Sequence, residues 1–154
     1  KKTRKTLLVA IITFENNYKN ILDKLKSILR TEFKNALPVY VGHETKDVGT
    51  QYLRLDPIRS ELLRYNVSSE TREHHINFYF YYSEPNMNER ILDQVTRFTS
   101  RIEALIHDNT SMTMTDGTNC INCRIETTTL NAVNNENEYV VQLQWRGQHT
   151  GNIS

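Results

Sequence analysis

The sequence predicts an α+β domain: a mostly antiparallel sheet of five or six strands, two amphipathic helices packed on one face, and an extended hairpin arm. Three observations predict it. Apolar residues recur at helical spacing in two stretches, 17–34 and 89–106. Between and after these lie runs with the period-two alternation of strands. And 154 residues suit one domain with a sizeable core. That domain spans 1–154, with its core at about 17–147, a basic tail at 1–6 and a polar tail at 148–154.

The first helix is carried by Tyr18, Ile21, Leu22, Leu25, Ile28 and Leu29, with Asn16 or Asn17 as its cap and Pro38 as a barrier beyond its end. Ahead of it, "LLVAIITF" (7–14) follows Lys1, Lys2, Arg4 and Lys5. Basic then apolar is how a secretory signal begins, but the run is short and lacks a small-residue cleavage pattern. It reads as the first buried segment, whether or not the first helix begins early enough to absorb it, and the charges as a solvated tail.

"PVYVG" (38–42) is a short β-branched strand, and "QYLRLDP" (51–57) alternates and stops at Asp-Pro. "IRSELLRYNV" (58–67) suits a helical turn or a strand; a hairpin of 58–67 against 74–82 is preferred, with "SSETRE" (68–73) as its turn. In "INFYFYYS", Ile76, Phe78, Phe80 and Tyr82 share one face, while Asn77, Tyr79 and Tyr81 share the other. That second face needs a cover: either other parts of the same chain or a second subunit.

The second helix has Asn86 and Glu89 in a capping-box arrangement, then Ile91, Leu92, Val95, Phe98, Ile102, Leu105 and Ile106 as one stripe, with Asn109 ending it. Two strands close the chain. In 119–133, Ile121, Cys123 and Ile125 face one way; in 138–148, Tyr139, Val141, Leu143 and Trp145 do, and "NNEN" (134–137) joins the two.

Composition narrows the function. Net charge is +1, from 19 basic and 18 acidic residues, which argues against a protein that clamps nucleic acid by bulk charge. No G-x-S-x-G, P-loop, H-E-x-x-H or G-x-G-x-x-G occurs, so no enzyme activity and no cofactor is expected. His74 and His75 are adjacent, point apart on a strand, and read as a solvated entry near Glu70, Glu73 and Glu84; His43 beside Glu44 reads the same way. Cys120 and Cys123 form one C-x-x-C on a strand, where residues three apart face opposite ways, so neither a redox pair nor a metal site is expected. The aromatic run lacks the glycines and basic neighbours of sheet-surface RNA binders.

Surplus aromatic residues without a chemical site point to protein–protein contact. The candidate subunit interface is Tyr79, Tyr81, Asn77, Leu63 and Tyr65. The layout "NYKNILDKLKSILRTEF", "LPVYVGHE", "YLRLDPIRSELL", "INFYFYYSEPN", "RILDQVTRFTSRIEALI", "INCRIETTTL" and "EYVVQLQWRG" resembles the bacteriophage tail terminator (tail-completion) family over about residues 17–147. The resemblance implies a virion structural subunit, made in the host cytoplasm, that forms a homo-oligomeric ring of typically six-fold symmetry. That ring would cap the tail tube and join it to the portal or adaptor ring, with DNA passing through its lumen without sequence-specific contact. It implies no catalysis, cofactor or membrane. Another neck component, such as a portal adaptor, and a single-stranded RNA-binding module are the alternatives.

Overall fold

The computed structural model describes residues 14–42, 50–83, 89–131, 134–135 and 138–152. It has the mixed α+β class that the sequence implies: two helices and a curled sheet. Helix α1 (Asn17–Phe33) starts where Asn16 Oδ1 accepts the backbone N–H of Lys19 at 3.3 Å, satisfying one of the helix's orphan donors. Its buried side chains, Ile21, Leu22, Leu25, Leu29 and Phe33, follow the helical repeat. A 3₁₀ turn (Lys34–Ala36) ends it ahead of Pro38. Helix α2 (Glu89–His107) buries Val95, Ile102 and Ile106, and Asn109 Nδ2 donates to the Leu105 carbonyl at its end. Asn86 and the basic tail lie outside the described residues.

The strands are β1 (Val39–Val41), β2 (Gln51–Tyr65), β3 (Ser69–Ser83), β4 (Met112–Thr113), β5 (Asn119–Thr129), β6 (Asn134–Asn135) and β7 (Glu138–Asn152). They run in the order β1-β2-β3-β7-β5-β4, with β6 paired on β7. All neighbours are antiparallel except β1 and β2. One core collects both helices and alternate residues of the central strands: Leu53, Leu55, Ile76, Phe78, Phe80, Val141, Leu143 and Trp145. Phe98 of α2 touches both Phe33 of α1 and Phe80 of β3, so three elements meet at one aromatic contact.

The two sides of the sheet end differently. On β5, the Cys123 N–H donates to the Thr110 carbonyl and the Ile125 N–H to His107 Nε2, while Thr128 Oγ1 donates to Glu103. Backbone donors on that edge are thus spent on the chain's own α2 and the loop after it. On β2, β1 pairs only with Leu53–Leu55, and among the described residues no strand follows along Arg59–Tyr65.

Several expectations need correction. Strand β2 does not stop at Asp56-Pro57 but runs through it, with register shifts between Pro57 and Arg59 and between Leu62 and Arg64. Proline survives here because no strand follows β1 along that side, and its missing N–H costs no ladder bond there. The hairpin partner of Arg59–Tyr65 is Glu70–His75, not 74–82; the turn is only Asn66 to Ser68. Asn66 Oδ1 accepts from the N–H groups of Ser68 and Ser69, closing the hairpin early and leaving "SETRE" free to be strand. The supposed polar tail is likewise strand: β7 runs to Asn152, pairing 148–152 with β3 and 148–150 with β5 and burying His149. Phe14, placed in the first buried segment, is exposed; residues 7–13 are outside the described part. Leu92 is also exposed, and Thr99 takes a buried place on α2 by donating its hydroxyl to the Val95 carbonyl.

The largest correction concerns β5. Asn122 has φ 57°, a left-handed conformation, and sits where two β5 residues oppose one β7 residue. This β-bulge flips the pleat. Ile121 is turned out to solvent, while Cys120 and Cys123 both point into the core. Period-two reasoning fails wherever an extra residue is inserted, and the sequence signal for one was an asparagine between the cysteines.

Candidate subunit interface

The expected interface residues fall into two groups. Asn77, Tyr79 and Tyr81 stand on the pleat opposite the core, half-buried. Their cover is partly internal. Tyr52 of β2 stacks on Tyr81 with ring centroids 4.5 Å apart and planes at 14°. The Arg54 guanidinium lies 5.0 Å from the Tyr79 ring and 5.6 Å from that of Tyr81, close enough for cation–π attraction. Asn77 Nδ2 donates to the Tyr79 hydroxyl at 3.2 Å, and Tyr40 meets Tyr52 edge-on at 6.0 Å. Burial raises the pKa of Tyr52 and Tyr81 above the ordinary phenol value, helped for Tyr52 by neighbouring Tyr81 and for Tyr81 by Tyr79, while Arg54 opposes in both. The result is a flat aromatic plateau with a cation laid across it.

Farther along the same pleat the plateau gives way to charge. Arg124 pairs with Glu73 at 3.4 Å and Glu126 at 3.0 Å, and Arg146 with Glu126 at 3.7 Å. His75 Nε2 lies 3.5 Å from both Glu61 and Glu73, too far for strong hydrogen bonds. Burial lowers the His75 pKa, as do Arg146 and Arg59, against the two glutamates.

Leu63 and Tyr65 belong elsewhere. Tyr65 pairs with Glu70, which shares the pleat of Phe78, the side opposite Tyr79 and Tyr81. Glu70 and Tyr79 are nine residues apart on β3, about 30 Å at strand spacing. Around Leu63 and Tyr65, the hairpin end also exposes Ile58, Leu62 and Val67, the last at 95%. These five exposed apolar side chains gather at one end of the hairpin, where they work against solubility.

His74 and His75, read from sequence as solvated, are buried. His74 is covered by the extension of β7, which lays His149 beside it, and by helix α1, whose Tyr18 stands with ring centroids 5.2 Å apart; His75, on the opposite pleat, lies among Glu61, Glu73 and Arg146. His149 Nε2 shares a 2.7 Å hydrogen bond with Thr118 Oγ1, and Thr118 donates to Asp116 Oδ1. Those Thr118 bonds hold the Asp116 carboxyl below its usual value. Burial lowers the His149 pKa, with Asp116 opposing. Burial, then the nearby His149, brings His74 down to about 4. Small clefts of about 200 and 80 Å³ flank Tyr18 and His74. Among the described residues no group of three or more His, Cys, Asp or Glu could hold a metal ion.

The depressed His74 pKa predicts a pH dependence. The unfolded chain takes a proton on His74 below about pH 6.5, whereas the folded chain refuses it until about pH 4. The stability is therefore complete above pH 6.5 and is lost as pH falls through that window, by about 3 kcal/mol from His74. Thermal unfolding followed by circular dichroism at pH 7.5 and 4.5 checks this. His74→Gln should flatten the profile by about that amount.

Among the described residues no helix is long and apolar enough to cross a membrane. No protein-family model matches the chain, and no curated protein matches it in sequence.

Proposed function

We propose that this chain is a structural subunit of a phage neck, forming a closed ring that caps the tail tube and joins it to the head connector. In this reading both helices cover one face of the sheet and the end of the β2–β3 hairpin projects as an arm. The observation that carries it is the separation of two unlike patches. A ring needs a heterologous interface, one surface meeting a different one and the rotation closing. The arm offers Leu62, Leu63, Tyr65 and Val67; the sheet offers the Tyr52, Tyr79 and Tyr81 plateau with Arg54. The arm of one subunit lies on the plateau of the next. The sequence layout resembles that of the tail terminator family, and the near-neutral charge suits a lumen that DNA only traverses.

Light scattering behind size exclusion, over a wide concentration range, tests the ring. The expected species is several times 18.1 kDa and unchanged by added nucleic acid. A strict monomer at every concentration overturns the reading. One observation favours a rival: stacked tyrosines with an arginine across them also suit unpaired bases. That reading requires oligonucleotide binding that weakens steeply with salt.

A further inference from the structure

The bulge at Asn122 has a chemical consequence on the core side. It brings the two thiols together: Cys120 Sγ and Cys123 Sγ are 3.6 Å apart, both free and both buried. The backbone holds them so, because the Cys123 N–H is tied to the Thr110 carbonyl at 3.0 Å. A disulfide requires the sulfurs to close from 3.6 Å to about 2.05 Å. We propose that Cys120 and Cys123 are a redox site that closes reversibly to an intrachain disulfide by exchange with a small-molecule disulfide.

The route to the thiols is the short β4–β5 hairpin. Strand β4 pairs with β5 only through Met112–Cys120 and Thr113–Asn119, and Met112 and Met114 lie buried beneath it. Two ladder positions, the Met114 N–H to Thr118 carbonyl and Gly117 N–H to Met114 carbonyl bonds, and the Thr113–Asn119 and Thr118–His149 side-chain bonds hold this flap, and an oxidant reaches the thiols only when it opens locally. The thiols are unequal. The hydrogen bond between the two sulfurs and nearby Arg124 hold the Cys123 thiol below its usual value against burial; the same bond and burial push Cys120 up. Cys123 is then the attacking thiolate. It displaces one half of the oxidant as a thiol and forms a mixed disulfide. Cys120, losing its proton to solvent, attacks the Cys123 sulfur and releases the second half. Two protein thiols are oxidised and one disulfide is reduced to two thiols.

The test uses the folded chain in a series of oxidised and reduced glutathione ratios, quenched with acid and alkylated. The expected product has lost about 2 Da, takes up no alkylating agent, and forms at a ratio about tenfold more reducing than the same chain requires in denaturant. Trp145 provides a second readout. A Cβ placed on Gly147 would meet both its ring, at 2.5 Å, and Cys120 Sγ, at 2.9 Å, so ring and sulfur are close neighbours. Closure should quench its fluorescence, and dithiothreitol should restore it. Cys120→Ser and Cys123→Ser should lose the quenching. A folded chain that stays a dithiol at ratios that oxidise the unfolded one, or that collects glutathione adducts without closing, overturns the proposal.

Discussion

Trp145→Ala should remove about 3–5 kcal/mol of stability, as large an effect as any single core truncation here. Trp145 is fully buried at the centre of β7, where its neighbours come from several elements. It pairs with Ile76 on one side and Ile125 on the other. Gly147 leaves room for its ring: a Cβ there would sit 2.5 and 2.8 Å from ring carbons. Removal leaves a cavity that three strands, each hydrogen-bonded to the next, cannot collapse to fill. Whole domains are stable by only about 5–15 kcal/mol, so the variant should unfold at much lower denaturant. Trp145→Phe should cost far less. Trp145 Nε1 is buried and has no hydrogen-bond partner among the described residues, so phenylalanine removes an unmet donor along with some packing. Urea unfolding followed by circular dichroism separates the two. Equal losses for both would show that the indole itself, and not the volume it fills, governs the site.

Tyr79→Asp combined with Tyr81→Asp should leave a folded monomer and abolish assembly. Both side chains lie outside the main core and against Arg54, whose guanidinium would accept the new carboxylates. Folding is therefore spared, while an interface anchored by tyrosines loses about 2 kcal/mol or more per anchor. The arm variant Leu62→Glu with Tyr65→Glu should also be monomeric. Mixing the two monomers is the sharper measurement. Each retains one intact patch, the arm on one and the plateau on the other, so the mixture should form a dimer and stop there. Light scattering reads that mass directly. A double tyrosine variant that still assembles removes the plateau from the interface. One that unfolds makes it ordinary core. Mixed monomers that stay monomeric mean that the arm and plateau are not complementary.

The sequence was most legible where a single period ran without interruption. Helix α1 and its Asn16 cap follow from a 3.6-residue repeat, and the core faces of β3 and β7 follow from strict alternation at Ile76–Tyr82 and Tyr139–Trp145. It was least legible where one residue broke the count. The bulge at Asn122 reversed the facing of Ile121 and joined two cysteines that alternation would separate. Polar strands were missed for a related reason. "SETRE" and "QHTGN" carry little apolar signal because their order comes from pairing with each other, Glu70 against Gly151 and Thr71 against Thr150. Burial of His74 was invisible for the same cause, since it depends on Tyr18 and His149, distant in the chain. Within the candidate interface, aromatic surplus on β3 was readable, but the pleat of Tyr65 was not, because two register shifts in β2 lie between.

The unequal flanks of the sheet set the molecule's valence. Cys123 and Ile125 have already spent their donors on Thr110 and His107, while the stretch Arg59–Tyr65 has no strand beside it among the described residues. A unit with open ladders on both sides polymerises as a ribbon; a unit with one is monovalent in strand pairing. Two such units can pair these stretches about a two-fold axis, which uses up that ladder. Crowding this chain should therefore yield pairs by that route, and in a ring of the proposed kind a neighbour grips the arm by its side chains.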